Sequence, residues 1–162
     1  MVDDRCLTLA TEVLDRCRAR GLRLATAESC TGGLIAATLT AIAGSSDVFD
    51  RGFVTYADAA KREVLGVPAE LIADNGAVSE PVARAMAEGA LGASGAGLAV
   101  AVTGIAGPGG GTEAKPVGLV HLAAALAGAG TRHQRHVFGG DRTAVRVATV
   151  EAALSMLFAA VR

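Results

Sequence analysis

Gly97-Leu98-Ala99-Val100-Ala101-Val102 decides the fold of this chain, because it is a continuous apolar run. A strand of this composition is typical of the middle of a sheet that is covered on both faces. The stretch that follows, residues 104–111, holds five glycines and one proline and is predicted to be a loop. The run therefore predicts a central strand that leads into a glycine-rich loop.

Strand and helix patterns alternate around this central strand. Further strands are predicted at 23–27 and 52–56, with a final hairpin from 117–126 and 131–138. Helices are predicted at 3–20, 31–43, 58–65 and 68–74, with one more from Ser79 through Leu91 and a last one from Asp141. This order predicts an α/β fold, a three-layer α/β/α sandwich with a mixed sheet of about five strands. Residues 1–162 are predicted to form one domain.

The charges of the chain are evenly mixed. Fifteen basic and 16 acidic residues give a formal net charge of −1, and both signs are spread along the sequence. A protein that binds nucleic acid or an anionic membrane usually carries a basic patch, so neither partner is expected. Apolar runs such as residues 95–102 are too short to span a bilayer, and the first residues lack the pattern of a secretion signal.

Two further expectations concern location and assembly. Cys6 and Cys17 lie 11 residues apart on one apolar face of the first helix, which predicts buried free thiols. Free thiols favour a reducing, cytoplasmic location. The helices are rich in alanine and glycine and would pack closely against a partner, so a homodimer is expected.

The first candidate for chemistry is the turn between the first strand and its helix, Thr26-Ala27-Glu28-Ser29-Cys30-Thr31-Gly32-Gly33. Ligands collect at the carboxyl ends of strands, where a helix N-terminus presents free amides. Ser29 is therefore a candidate nucleophile, with the amides of Cys30 and Thr31 as an oxyanion hole. Gly32 and Gly33 would let a substrate approach the backbone closely. The alternative is that Ser29 or Thr31 merely caps the helix.

Cys30 is the competing nucleophile, because a thiol at a helix N-terminus can have a lowered pKa. A cysteine nucleophile usually needs a nearby histidine as its base. The three histidines, His121, His133 and His136, all lie on the terminal hairpin instead. Residues 133 and 136 of a strand point to opposite faces, so no metal site is expected. Ser29 is preferred to Cys30.

A serine needs a base, and Tyr56 and Lys61 are the candidates. They follow the second strand and can reach the same sheet edge as Ser29. Lysine is protonated at neutral pH, so Lys61 must be desolvated, or lie beside another positive group, before it can act as a base. Tyr56 would relay the proton or hold the lysine. The alternative is an interfacial tyrosine and a solvated helix lysine.

The glycine loop lacks the Gly-Lys-Ser/Thr ending of a nucleotide P-loop, which excludes an NTPase of that class. Its backbone amides, beginning at Thr103 and Gly104, remain candidates for holding a phosphate or a sugar. Arg142, at the start of the last helix, is a candidate for phosphate recognition, and the alternative is an arginine on a helix surface. No cofactor is expected.

Taken together, these segments resemble the CinA carboxyl-terminal domain family, whose stand-alone members are nicotinamide-nucleotide amidohydrolases. The matching segments occur in the family's order and cover about three-quarters of the chain; they are 26–33, 43–46, 52–56 with Lys61, 76–81, 103–110, 115–118 and 140–142. The chain departs from the family in having Ala57-Asp58 where Ser-Asn is common. Larger relatives also carry an N-terminal pyrophosphatase-type domain, and that activity is not expected of residues 1–162.

The resemblance implies hydrolysis of the carboxamide of nicotinamide mononucleotide to nicotinic acid mononucleotide and ammonia, without a metal. It assigns the nucleophile to Ser29, with Tyr56 and Lys61 completing the catalytic group. The expected substrate-binding residues are Cys30, Thr31, Gly32, Gly33, Thr103, Gly104 and Arg142. Two alternatives stay open: a non-catalytic nucleotide-binding module, and an amidase for another small amide.

Overall fold

A computed structural model describes residues 3–162, which form one five-stranded sheet and six α-helices. The strands are β1 (Leu24–Glu28), β2 (Phe49–Val54), β3 (Leu98–Gly104), β4 (Leu119–Leu126) and β5 (Gly130–Val137). The helices are α1 (Asp4–Ala19), α2 (Leu34–Thr40), α3 (Asp58–Leu65), α4 (Ala69–Asn75), α5 (Glu80–Gly92) and α6 (Arg142–Ala160).

The sheet is mixed, in the order β2-β1-β3-β4-β5. Strand β1 pairs in parallel with β2 and β3, whereas β4 and β5 are antiparallel to their neighbours. The apolar run at 97–102 forms most of β3, the middle strand, and the side chains from Leu98 to Val102 are fully buried. The predicted central strand and the three-layer α/β fold are both confirmed.

The helices cover both faces of the sheet, and each face has its own apolar core. Helices α1, α2 and α6 pack on one face, around side chains such as Leu14, Leu39 and Leu154. Helices α3 and α5 pack on the other, where Leu65 and Met86 meet a layer of alanines from the strands. The small alanine side chains bring α5 close to the sheet.

The register of the three parallel strands builds one edge where chemistry can collect. Glu28 of β1 lies opposite Val54 of β2 and Val102 of β3. The residues that follow, Ser29 and Thr55, therefore leave the sheet side by side, next to the end of β3.

Helix α2 begins at Leu34 rather than at Thr31, which corrects the predicted boundary. Gly32 and Gly33 have φ angles of 59° and 98°, a left-handed conformation that a right-handed helix cannot contain. The turn after β1 is therefore longer than predicted, and Ser29 lies five residues before the helix begins.

Strand β2 lies earlier than the predicted 52–56. It is an edge strand that ends at Val54, and the next amide, that of Thr55, still donates to the Glu28 carbonyl at 2.9 Å. The remaining predicted elements agree with the structure to within a few residues.

Helix α6 is the one helix of the described chain that is long and apolar enough to cross a membrane by length and composition. Its buried residues, among them Val150 and Leu157, belong to the core shared with α1 and α2. In this structure α6 is therefore a core helix of the sandwich.

Candidate active site

A pocket of about 270 Å³ opens at the carboxyl edge of the parallel strands. Ser29, Cys30, Tyr56, Lys61, Thr103, Gly104 and Arg142, all predicted from sequence, line it. Asp58, residues 77–78 and residues 105–110 of the glycine loop, except Pro108, complete the lining. The structure thus gathers seven of the ten predicted site residues around one cavity.

Lys61 reaches the nucleophile candidate directly. Its Nζ lies 3.0 Å from the Ser29 Oγ, 2.9 Å from the Thr55 carbonyl oxygen and 3.3 Å from the Tyr56 carbonyl oxygen. A neutral amine has two N–H donors and one lone pair. When the two carbonyls accept those N–H groups, the lone pair is left for the Ser29 hydroxyl proton.

Lys61 is only 1% exposed, so its charge is poorly solvated. Burial lowers the pKa of this amine below the ordinary lysine value, and the nearby Asp58 carboxylate partly opposes that effect. The structure contains no second cation in contact with Lys61 among the residues described. Desolvation is therefore the way in which the neutral amine becomes populated.

The phenol of Tyr56 points elsewhere than predicted. Its hydroxyl accepts a hydrogen bond from the Nη2 of Arg142 at 2.9 Å, and the side chain is 59% exposed. Lys61 is held by the main-chain carbonyl of Tyr56 instead. The expected proton relay through the phenol does not match this geometry. The phenol instead binds Arg142, which lines the same pocket.

Cys30 is buried and belongs to the apolar core that α1, α2 and α6 share. Burial raises its pKa to about 11, against smaller opposing effects that include the charges of Arg146 and Lys61. Reactive cysteines have a lowered pKa, because the thiolate is the nucleophile. The structure therefore favours Ser29 over Cys30.

Glu28 is a site residue that the sequence reasoning missed. Its fully buried carboxylate accepts hydrogen bonds from the Thr31 hydroxyl at 2.7 Å, from the Ile35 amide at 2.8 Å and from the Ala36 amide at 3.0 Å. The first free amides of α2 are thus occupied by a carboxylate of the chain itself, and substrate cannot use them. A charged residue ending a fully buried strand is the sequence signal for this role.

The expected roles of Thr31, Gly32 and Gly33 in binding are not seen in this geometry. Thr31 is fully buried, and its hydroxyl donates to Glu28. None of the three residues lines the pocket within the described chain. The two glycines shape the turn, while Cys30 is the neighbour of Ser29 that lines the cavity.

The glycine loop and Arg142 form another part of the pocket wall. The Arg142 Nη1 donates to the Gly107 carbonyl at 2.8 Å, and Nη2 donates to the Tyr56 hydroxyl. Within residues 3–162, the amides of Ala106, Gly107, Gly109 and Gly110 have no protein acceptor. This wall combines a guanidinium with unpaired backbone donors, a combination suited to an anionic group.

The histidines lie outside the pocket. His121 Nδ1 and His133 Nε2 are 2.9 Å apart, and Glu80 Oε2 lies 3.6 Å from the other ring nitrogen of His133. Burial, followed by the charge of His133, lowers the pKa of His121 to about 4. Within the described residues, no group of three or more histidine, cysteine, aspartate or glutamate side chains is placed to hold a metal.

Together, the fold and the pocket define a class of protein: a three-layer α/β/α sandwich in which a buried lysine meets a serine at the carboxyl edge of the parallel strands. The model of the CinA C-terminal domain matches residues 7–161. This chain belongs to the CinA C-terminal domain family.

Named relatives agree with this assignment. The CinA-like protein of Anaeromyxobacter dehalogenans is 57% identical over 150 residues, which are 93% of this chain and 36% of that protein. The chain thus spans about a third of the length of the curated relatives it matches. The crystal structure of competence/damage inducible protein CihA from Agrobacterium tumefaciens is 52% identical, with a TM-score of 0.96 over 98% of this chain and 97% of that one. A CinA superfamily protein from Klebsiella pneumoniae is 43% identical, with a TM-score of 0.92 over 96% of this chain and 97% of that one.

Proposed function

We propose that this chain hydrolyses the carboxamide of nicotinamide mononucleotide to nicotinic acid mononucleotide and ammonia, with Ser29 as the nucleophile and Lys61 as the base. The observation that carries the proposal is the 3.0 Å contact between the Lys61 Nζ and the Ser29 Oγ. A module that only binds nucleotides has no need of a buried amine aimed at a hydroxyl.

The reaction proceeds in two halves. The Ser29 Oγ attacks the amide carbon while Lys61 takes the hydroxyl proton, and the resulting ammonium gives that proton to the departing nitrogen, which leaves as ammonia. A water molecule then attacks the acyl-enzyme, its proton passes to Lys61 and from there to Ser29, and the acid is released. The Cys30 amide, next to Ser29 in the pocket lining, is the proposed oxyanion donor.

Two observations support the mononucleotide as the substrate: the resemblance to the nicotinamide-nucleotide amidohydrolases, and the part of the pocket wall formed by Arg142 and the glycine loop. Arg142 uses two of its five N–H donors on Gly107 and Tyr56, so three remain for a phosphate. The unpaired amides of the glycine loop add further donors. The wall matches a substrate with an uncharged amide at one end and a phosphate at the other.

The test is ammonia release from nicotinamide mononucleotide by purified wild-type protein, Ser29→Ala and Ser45→Ala, with and without a chelator. Ser45 is a similarly buried serine at the amino end of β2, away from the pocket, and serves as the matched control. We expect Ser29→Ala to lose at least about 10³-fold in kcat with its fold intact, and Ser45→Ala and chelated wild type to keep their activity.

Four outcomes contradict the proposal or part of it. Binding of the mononucleotide with no ammonia between pH 6 and pH 10 would favour a nucleotide-binding module. Faster ammonia release from another small amide would change the proposed substrate but would leave Ser29 and Lys61 as the proposed catalytic pair. If Ser29→Ala kept its turnover, Ser29 would be ruled out as the nucleophile. If chelator abolished the activity, a metal-free mechanism would be ruled out.

The proposal concerns the domain described here, and the activities of the longer relatives are a separate question. A cytoplasmic location and a homodimer stay predictions. Ultracentrifugation of the purified chain tests the second of them directly.

A further inference from the structure

Arg146 is a half-buried arginine of α6 that binds the turn of residues 29–33, which carries the proposed nucleophile Ser29. Its Nε donates to the Cys30 carbonyl at 3.2 Å, and its Nη2 donates to the Thr31 carbonyl at 2.9 Å. Helix α6 packs on the face of the sheet that carries α1 and α2, whereas Lys61 comes from α3 on the other face. The turn is therefore held between an arginine on one side and the catalytic lysine on the other.

The bonds to Arg146 decide how the peptide planes of the turn are oriented. In a trans peptide, the carbonyl of one residue and the amide of the next point in opposite directions. The carbonyls of Cys30 and Thr31 point to the guanidinium, and the Ser29 carbonyl accepts the Gly32 amide at 3.0 Å. The plane of the Thr31 carbonyl also carries the Gly32 amide, and the plane of the Ser29 carbonyl also carries the Cys30 amide. Arg146 therefore fixes the Cys30 amide indirectly, through the hydrogen bond from the Gly32 amide to the Ser29 carbonyl.

The Cys30 amide is what this arrangement leaves for the substrate. It adjoins Ser29, its residue lines the pocket, and within residues 3–162 it donates to no acceptor on another residue. The two glycines that end the turn offer little resistance to a rotation of these planes. Without Arg146, the turn would exchange between orientations that present an amide and orientations that present a carbonyl.

The charge of Arg146 acts in the same direction. Among the described residues it forms no ion pair, although the Glu28 carboxylate also binds this turn, through the Thr31 hydroxyl. A guanidinium without an ion-pair partner favours negative charge developing on a substrate oxygen nearby.

We propose that Arg146 is a positioning residue, which holds the carbonyls of Cys30 and Thr31 so that the Cys30 amide stays directed at the acyl oxygen of a substrate on Ser29. This inference rests on the proposed serine-dependent hydrolysis. Arg146 itself does not line the pocket and does not contact the substrate.

The experiment compares Arg146→Met with Arg5→Met. Methionine keeps much of the aliphatic stem and removes the donors, and Arg5 is the matched control because it joins α1 to α6 through an ion pair with Glu151, without a bond to the turn. We expect Arg146→Met to lose about 10²-fold in kcat for ammonia release while KM stays within a few-fold, as when an oxyanion donor is lost. Added millimolar guanidinium, which fits the space left beyond the methionine, should restore part of the rate. Arg5→Met should show wild-type kcat and no response to guanidinium.

Acylation of Ser29 by p-nitrophenyl acetate provides a second readout that does not depend on the nucleotide. If the wild-type protein is acylated but releases no ammonia from the mononucleotide, the proposed substrate fails, while a slower acylation of Arg146→Met still supports the positioning role. Unchanged kcat and acylation in folded Arg146→Met would overturn the inference. A rise in KM alone would also overturn it, because it would show a substrate contact. Should Arg146→Met fail to fold, Arg146→Lys is used, and a wild-type kcat in that variant would overturn the need for a two-donor guanidinium.

Discussion

The Nζ of Lys61 lies 3.0 Å from the Ser29 Oγ, and two main-chain carbonyls occupy its other hydrogen-bonding directions. Both partners lie at the edge where the parallel strands end, and the lysine is almost fully buried. The arrangement makes the protonation state of Lys61 the quantity on which catalysis depends.

The first prediction is a pH profile. Burial lowers the pKa of Lys61, and only the neutral amine accepts the serine proton, so kcat/KM should rise with pH along a single limb and level off below the ordinary lysine pKa of about 10.4. Lys61→Arg keeps a charged donor but cannot lose its proton, and should lose about 10²- to 10⁴-fold without that limb. Ammonia release measured from pH 5 to pH 10 checks both. A flat wild-type profile, or an active Lys61→Arg, would contradict the assignment.

The second prediction concerns stability. Because the pKa of Lys61 is lower in the folded state, the unfolded chain binds more protons between that lowered pKa and the ordinary lysine pKa, and the free energy of unfolding should rise with pH across this window. The difference between wild type and Lys61→Met isolates this contribution, since the other groups titrate in both. Urea unfolding at pH 7 and pH 9.5 should show wild type gaining relative to the variant. A constant difference would mean that the amine is not destabilised by burial.

The third prediction separates phosphate recognition from catalysis. Arg142→Gln removes the guanidinium that faces the pocket, and should raise KM for the mononucleotide about 10- to 100-fold, the value of a hydrogen bond to a charged group. Tyr56→Phe, which removes a partner of Arg142, should have a smaller effect in the same direction. KM for the riboside without a phosphate should be unchanged in both variants. Arg62→Gln, at an exposed position of α3, is the control. An equal rise in KM for both ligands would show that Arg142 does not bind the phosphate.

The sequence predicted those parts of the protein that depend on local patterns. The apolar run at 97–102 identified the middle strand, and the ends of neighbouring strands placed Ser29 and Lys61 at the same sheet edge, where the structure has them in contact. Contacts that depend on tertiary packing were missed. Arg146 binds Cys30 across 116 residues, because α6 crosses beneath the turn, and no local pattern encodes that distance.

The missed role of Glu28 has a different physical origin. A helix N-terminus after a strand usually indicates a ligand site, but here a carboxylate from the preceding strand already occupies it. Periodicity shows where a helix begins, to within a few residues, and does not show which group satisfies its amides.

The fourth prediction follows from that occupied helix end. Glu28→Leu leaves the Thr31 hydroxyl and the amides of Ile35 and Ala36 without their acceptor, and each unpaired buried donor costs about 1–3 kcal/mol. The free energy of unfolding should fall by about 3 kcal/mol or more, and Glu28→Gln, which keeps one acceptor oxygen, should lose less. Chemical denaturation measures this, with the exposed Glu63→Leu as the control. Equal stability of Glu28→Leu and wild type would contradict the role.

The last prediction is a substitution that should improve stability without changing the chemistry. The Thr55 hydroxyl is fully buried and, within residues 3–162, has no hydrogen-bond partner, although the main chain of Thr55 donates to Glu28 and accepts from Lys61. Valine has the same shape and removes only the unpaired hydroxyl, so Thr55→Val should raise the free energy of unfolding by about 1 kcal/mol and Tm by about 2–4 °C, with the pH profile unchanged. Thr149→Val is the matched control, because that buried hydroxyl donates to the Val145 carbonyl at 2.7 Å and its loss should not stabilise. If Thr55→Val instead lowers Tm, the hydroxyl is hydrogen-bonded in solution, and a water molecule bound beside the Lys61 amine is the partner to look for.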